Sequence, residues 1–245
     1  MRLKILGSNS AGNCYLLYNE TECLIIELGV KFTLVKQALN FNLSKVVYAI
    51  CTHEHGDHSK AVKDALLAGI NVVMSKGTQE ALNLSSHRIK NICHGQKYKA
   101  GNFEVMAFNA HHDCNEPLSF LIRHPETGTI CFITDSYYCD FTFPGLTNIM
   151  VEANYSDEII NARMEVGSIH GFLRDRTLAS HMSLATCKDF LKANDLTKVN
   201  NILLLHLSDS NSNAELFQKE VKELTAKTVS VACKGMDIPF GATPF

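Results

Sequence analysis

Val46-Val47-Tyr48-Ala49-Ile50-Cys51-Thr52-His53-Glu54-His55-Gly56-Asp57-His58 is the stretch on which the fold turns. Residues 46–51 form a short, β-branched apolar run, the pattern of a strand buried on both faces. The next residues put three imidazoles and two carboxylates into the six positions from His53 to His58. His53 and His55 are two apart, so extended backbone points both to one side. Gly56 then allows a sharp turn that returns Asp57 and His58 to the same place. Neutral imidazole and carboxylate are the donors that Zn²⁺ and related divalent ions prefer. The competing reading is a polar loop before a helix, with Asp57 helping to cap it.

One segment cannot complete two coordination spheres, so further donors must come from other strand ends. His111-His112-Asp113 follows the apolar stretch 103–108, Asp135 ends the run 130–134, and His206 ends 202–205. A lone histidine at a strand end is more often structural, but together these residues supply the missing imidazoles and a carboxylate. Two metals roughly 3.5–4 Å apart commonly share a bridging carboxylate and a bridging hydroxide, and Asp135 suits the bridge.

Working outward, strand-like and helix-like stretches alternate along the chain. Strands are expected over 2–6, 15–18, 22–27, 71–74, 103–108, 118–123, 129–134, 148–152, 199–205 and 229–232. Helices are expected over 33–39, 61–68, 78–84, 158–164, 184–193 and 214–224. Pro125-Glu126-Thr127-Gly128 predicts a hairpin between 118–123 and 129–134. There is no Pro-rich or Ser-rich linker and no repeat, so residues 1–245 read as one α/β domain. Hairpins mixed with helical crossovers fit a mixed sheet, or two sheets with helices outside.

Composition closes off other classes. Hydrophobic residues make up 46% of the 245 positions and charged residues 20%, which is globular rather than disordered. No apolar run approaches the ~18 residues that span a bilayer, and the N-terminus lacks a signal-peptide core, so the expectation is a cytoplasmic protein without a membrane partner. Nine cysteines without a C-x-x-C pair read as small core hydrophobes in a reducing compartment rather than as a metal or disulfide framework. The formal net charge of −2 gives no global basic field. Locally, no acidic residue occurs from Ala81 to Phe103, where Arg88, Lys90, Lys97 and Lys99 lie, and Arg174 and Arg176 precede His181. Such clusters can hold a phosphodiester backbone, or can be ordinary solvated surface. Tyr137, Tyr138, Phe141 and Phe143 after Asp135 could stack bases or pack in the core.

The segment His53-x-His55-x-Asp57-His58, the later His112, Thr134-Asp135 and His206-Leu207-Ser208 resemble the metallo-β-lactamase superfamily. That resemblance implies an αββα four-layer sandwich, two mixed β-sheets flanked by helices. The opening Gly7-Ser8-Asn9-Ser10-Ala11-Gly12-Asn13 is similar to that of the RNase Z-like and YycJ-like branches. His112-Asp113 with Pro117, Glu152-Ala153-Asn154, His181-Met182-Ser183, and His206-Leu207-Ser208 with Asn211 and Asn213 resemble YycJ-like motifs. The first of these favours His112 over His111.

The resemblance implies His53, His55 and His112 on one metal, Asp57, His58 and His206 on the second, Asp135 bridging, and a hydroxide between the metals as nucleophile. Zn²⁺ is the first choice of ion, with Mn²⁺ or Fe as alternatives. It further implies a catalytic group of Asp57, His181 and Glu152, with His181 contacting the scissile phosphate or protonating the leaving oxygen and Glu152 orienting it. The alternative for that pair is that Glu152 ends a strand and His181 opens a helix. Ser183, Arg174, Arg176 and Asn211 are candidate substrate contacts.

Departures from the branch pattern are Ser180 before His181, Leu184 after Ser183, and Tyr155-Ser156 after Asn154. Nothing resembles the Gly/Lys-rich arm with which RNase Z grips tRNA. The function implied is a two-metal phosphodiesterase on nucleic acid, DNA before RNA, most simply a YycJ-like exonuclease. A small-molecule hydrolase of lactones, thioesters, lactams or cyclic nucleotides is the alternative on the same fold. A silent, metal-stabilised binding module is the non-enzymatic one. His87, His94, His111, His124 and His170 receive no role.

Overall fold

The computed structural model describes residues 1–168 and 171–243, with the Leu173 side chain, His170 and the last two residues outside the description. The first half of the chain gives β1 (Arg2–Gly7), β2 (Cys14–Tyr18), β3 (Cys23–Ile26), α1 (Phe32–Ala38), β4 (Val46–Ile50), α2 (Gly56–Ser59), α3 (Val62–Leu67), β5 (Val72–Met74), α4 (Lys76–Ala81) and β6 (Ile89–Asn91). The second half gives β7 (Lys97–Ala100), β8 (Phe103–Asn109), β9 (Leu118–His124), β10 (Gly128–Ile133), β11 (Leu146–Glu152), α5 (Asp157–Glu165), α6 (Gly171–Ser180), α7 (Leu184–Ala193), β12 (Asn201–Leu205), α8 (Ala214–Thr225), β13 (Thr228–Val231) and β14 (Asp237–Pro239).

These strands form two seven-stranded mixed sheets, ordered β14-β1-β2-β3-β4-β5-β6 and β13-β12-β11-β10-β9-β8-β7. In each, one part is antiparallel and the other parallel: β3 to β6 in the first sheet, β10 to β13 in the second. Period-two alternation sends Leu3, Ile5, Leu24, Ile26 and Ile50 inward to meet Phe120, Ile130, Phe132 and Leu203 between the sheets. The alternate residues Cys23, Ile25, Ala49 and Cys51 pack outward under Phe32 and Val35 of α1 and Val62 and Ala65 of α3. On the other outer face Cys131, Ile149 and Val151 meet Leu191 of α7 and Phe217 and Val221 of α8. The result is the αββα sandwich, and strands buried on both faces explain the nearly continuous apolar runs.

The elements not anticipated are short or weakly patterned. β6 and β14 have three residues each, and β7 alternates lysine with half-buried residues on the edge of its sheet. α6 carries an exposed Phe172 and no strong apolar stripe. Consequently His181 follows a helix rather than opening one. The cysteines are all free, but not all core: Cys93 and Cys233 are exposed, and Cys114 and Cys139 half-buried. Among the described residues no helix is long and apolar enough to cross a membrane.

Candidate metal centre

The parallel strands deliver the chemistry. Glu27 follows β3, His53 follows β4, Asp135 follows β10, Glu152 ends β11, and His206 follows β12. Carboxyl ends of parallel strands are where open α/β sheets bind ligands. Glu27, Asp135 and His206 are each left-handed, with φ of 64°, 46° and 52°. This conformation is uncommon outside glycine and costs on the order of 1–3 kcal/mol, and such strain gathers at functional sites.

Two donor sets meet here. His53, His55 and His112 form one, and Asp57, His58, Asp135 and His206 the other, the donor atoms of each lying within 4.8 Å of one another. Asp135 Oδ2 is 3.3 Å from His58 Nε2, 3.6 Å from His112 Nε2 and 3.9 Å from His53 Nε2, so this carboxylate faces both sets. Asp57 Oδ2 lies 3.3 Å from His58 Nε2 and 3.5 Å from His206 Nε2. Glu152 and His181 form a third group with Asp135 and His206. The His111 ring instead faces Asp140 at the surface.

Four of the five donor imidazoles, all but His55, have a polar group facing the far nitrogen. His53 Nδ1 meets Thr52 Oγ1 at 2.9 Å, His112 Nδ1 donates to the Ser180 carbonyl at 2.8 Å, and His58 Nδ1 stands 3.5 Å from the buried Glu27 carboxylate. His206 Nδ1 is 3.2 Å from Glu152 Oε1. Such contacts fix tautomer and ring direction in metal sites. What remains is diagnostic: the buried Nε2 atoms of His53 and His206 have no hydrogen-bond partner. A buried polar atom without a partner is costly unless something absent from the protein chain fills the place.

The electrostatics agree. His53 and His112 are held below the ordinary imidazole range, first by burial and then by neighbouring imidazoles, so they remain neutral donors. Burial pushes the Asp57 and Asp135 carboxyls up, but the facing histidines more than offset it and hold both well below the usual carboxylate range. Burial opposes charge on His206, yet Asp135, Asp57 and Glu152 push it up to about 10. The cluster therefore favours positive charge at its centre. A proton or a divalent cation satisfies that demand, and the imidazole-carboxylate donor set fits the cation.

The sets open into a cavity of about 460 Å³. Its walls add His181, Arg163, Arg176 and Asn211 to the donors. His181 Nδ1 is 2.7 Å from Glu152 Oε1, while Glu152 Oε2 accepts from the Ser136 and Met182 amides at 3.0 and 3.2 Å. Burial lowers the His181 pKa, but the Glu152 carboxylate outweighs it and holds the ring above the ordinary imidazole range.

The other expected contacts divide. Asn211 lines the cavity and accepts from Arg163. Arg176 lines it too, with Nε 3.5 Å from Asp113. Arg174 is absent from the lining and pairs with Asp175, and the Ser183 hydroxyl caps α7 by accepting from the Thr186 amide at 3.0 Å. Arg88, Lys90, Lys97 and Lys99 also lie outside the lining, on or beside the edge strands β6 and β7. Phe143 is buried and Phe141 packs beside it, whereas Tyr137 and Tyr138 are exposed near His111. Sequence reasoning passed over Glu27 and Arg163. Glu27 carried the signal used for Asp135, a carboxylate ending an apolar strand, whereas Arg163 had none.

Gly29 holds the metal-facing loop in place. A Cβ built there would sit 1.6 Å from the Asp57 carbonyl oxygen and 2.7 Å from the Asn13 nitrogen. Gly29→Ala is expected to displace α2, which carries Asp57 and His58. The cost is about 1–3 kcal/mol of stability and roughly 10- to 100-fold in metal affinity. Chemical denaturation and a metal titration read both.

A family model described as the metallo-beta-lactamase superfamily matches residues 8–81. Exodeoxyribonuclease YycJ of Bacillus anthracis is 27% identical over 91% of this chain and 89% of its own length. The fold is shared with the metallo-beta-lactamase fold protein YhfI of Bacillus subtilis, at TM-score 0.74, 18% identity and coverage of 97% of this chain and 99% of that one. The short form of human tRNase Z superposes at TM-score 0.64 with 16% identity, covering 98% and 99%. With the two donor sets at the strand ends, these likenesses indicate a metal-dependent hydrolase that has the metallo-β-lactamase fold.

Proposed function

We propose that the chain is a two-metal phosphodiesterase acting on nucleic acid, DNA in preference to RNA, as an exonuclease. The observation that carries this reading is the cavity itself, where two donor sets, both faced by Asp135, meet the Glu152–His181 pair and the guanidinium groups of Arg163 and Arg176. The name of the Bacillus anthracis relative supports the choice of DNA and of exonucleolytic cleavage.

His53, His55 and His112 would hold one divalent ion, and Asp57, His58 and His206 the other, with Asp135 between them. Bound there, the ions supply Lewis acidity and a water of lowered pKa. Arg163 and Arg176 bind phosphate oxygens at the cavity wall. His181, kept protonated by Glu152, gives its proton to the departing alkoxide oxygen. Asn211 fixes the Arg163 guanidinium.

The test is to incubate the chain, loaded with Zn²⁺ or Mn²⁺, with end-labelled single- and double-stranded DNA and RNA, beside bis-p-nitrophenyl phosphate and a chromogenic lactam. Release of mononucleotides from DNA ends, without lactam hydrolysis, is expected. His53→Ala should lose bound metal and activity together. Absence of phosphodiester cleavage with every metal overturns the reading, and lactam hydrolysis alone moves the chain to the small-molecule class.

A further inference from the structure

Behind the metal cavity lies a second depression of about 810 Å³. Two loops separate them and line both. In the loop after β1, Ser10 faces the metal cavity, while Ser8, Asn9 and Ala11 face the groove. In the loop after β12, His206, Ser210 and Asn211 face the cavity, while Leu207, Ser208 and Ser212 face the groove. The partition is therefore one loop thick on each side.

Three exposed lysines, Lys31, Lys60 and Lys234, line the groove, and Asp209 is the one carboxylate among its lining residues. None of the three lysines has an ion-pair partner among the described residues, and Lys60 Nζ donates to the Ala11 carbonyl at 3.1 Å, which holds it on the partition. They come from three separate segments, ahead of α1, after α2 and after β13. On the metal-cavity side of the partition, the lining includes Arg163 and Arg176. Arg163 likewise has no carboxylate partner among the described residues, donating to Asn211 and to the Ser168 carbonyl. Cations thus line the depressions on both sides of the partition in a chain whose net charge is −2.

We propose that the lysine-lined groove is the track for a single nucleic-acid strand that crosses the loop partition from the metal cavity, its phosphates meeting Lys31, Lys60 and Lys234. The proposal rests on the phosphodiesterase reading for the role of the cavity. It adds where the uncleaved part of the substrate lies. Backbone phosphates spaced along a strand match separate ammonium groups on a groove floor, and each such contact releases counterions. A mononucleotide or cyclic nucleotide confined to the metal cavity would have no use for these lysines.

The measurement is fluorescence anisotropy of a phosphorothioate single-stranded oligonucleotide of about twelve nucleotides, as DNA and as RNA, across a salt series. The Lys31→Gln/Lys60→Gln/Lys234→Gln variant should bind roughly 10- to 100-fold more weakly. Its log–log salt slope should fall in magnitude by about 2, from ~0.7 per phosphate contact. Turnover of bis-p-nitrophenyl phosphate, too short to reach the groove, reports folding and metal loading. Should the triple variant be damaged there, Lys31→Gln/Lys234→Gln keeps the Lys60 contact with the loop and should still lose about 1.4 units of slope.

Lys90→Gln/Lys99→Gln, near the sheet edges, controls for charge alone and should bind like the parent. Unchanged affinity and slope in the groove variants, or an equal loss in the edge variant, overturns the groove. If the parent chain binds through these lysines but cleaves no phosphodiester, the groove stands and the phosphodiesterase reading falls. If it cleaves DNA and the groove variants bind and cleave as well as the parent, the reverse holds.

Discussion

Asp135→Asn is expected to reduce bound metal from two ions per chain to one or none and to lower hydrolysis by at least about 10²-fold, since even outer contacts of metal sites are worth 10- to 100-fold. Asp135 is 3% exposed, and its Oδ2 faces His58, His112 and His53 while Oδ1 lies 3.3 Å from His206 Nδ1. Removing its charge leaves Asp57 as the single carboxylate of the two donor sets. Two cations close together in a buried site repel strongly, and a shared carboxylate is what screens them.

Asparagine is the informative substitution. Asp135 sits at φ 46°, a conformation that Asn adopts more readily than Ala. Asn therefore tests charge with little backbone strain, whereas Ala would add roughly 1–2 kcal/mol of conformational cost. Elemental analysis of the purified variant gives the stoichiometry. A second readout is thermal: ions that bind only the folded state raise its stability by mass action. Chelation should then lower the midpoint of the parent more than that of the variant. Two ions per chain with undiminished hydrolysis in Asp135→Asn would remove Asp135 from the role.

The donors were legible in the sequence because each interrupts chemistry that otherwise belongs to a core. His206 after Ile202-Leu203-Leu204-Leu205 is conspicuous, since a polar side chain at the end of a doubly buried strand needs a reason to be there. The two-sheet architecture was legible for the same reason, as alternating faces of β3 and β4 are both apolar. Glu27 was equally placed but was absorbed into the strand 22–27, and only the approach of His58 Nδ1 to its carboxylate shows what it faces.

Other features depend on distant segments meeting, which periodicity does not encode. Arg163 reaches the cavity because α5 packs over the loop containing Asn211. The groove lysines lie 29 and 174 positions apart in sequence, from Lys31 to Lys60 and from Lys60 to Lys234. Conversely, the acid-free stretch 81–103 reads from sequence either as a phosphodiester contact or as solvated surface, and the fold carries its cations to the edge strands, outside the lining of the metal cavity. Ser183 illustrates competition for one hydroxyl. Ser183-Leu184-Ala185-Thr186 is a helix start, and the cap hydrogen bond from the Thr186 amide uses one lone pair of the hydroxyl that is also a candidate substrate contact.

His181→Ala is expected to keep both ions and lose about 10²- to 10⁴-fold in the rate of DNA cleavage, the range general acid catalysis supplies. The ring directs Nδ1 to Glu152 and lines the cavity with its other edge. It belongs to neither of the two donor sets that include His53 and Asp57, so metal content should not follow activity. The leaving group separates proton donation from mere charge. An alkoxide needs a proton to depart, whereas p-nitrophenolate is acidic enough to leave without one. The loss should therefore be large on DNA and small on bis-p-nitrophenyl phosphate.

The pH profile gives an independent sign. Glu152 holds His181 above the ordinary imidazole range despite burial, so the protonated acid persists through neutral pH and the DNA-cleavage rate falls on the alkaline side of that raised value. Glu152→Gln removes the negative charge while keeping an acceptor for the Ser136 and Met182 amides. The alkaline limb should then move toward lower pH, with the plateau rate below it less affected than in His181→Ala. Full-rate DNA cleavage by His181→Ala, or equal losses on both substrates, would leave His181 as a positioning residue and require another proton donor in the cavity.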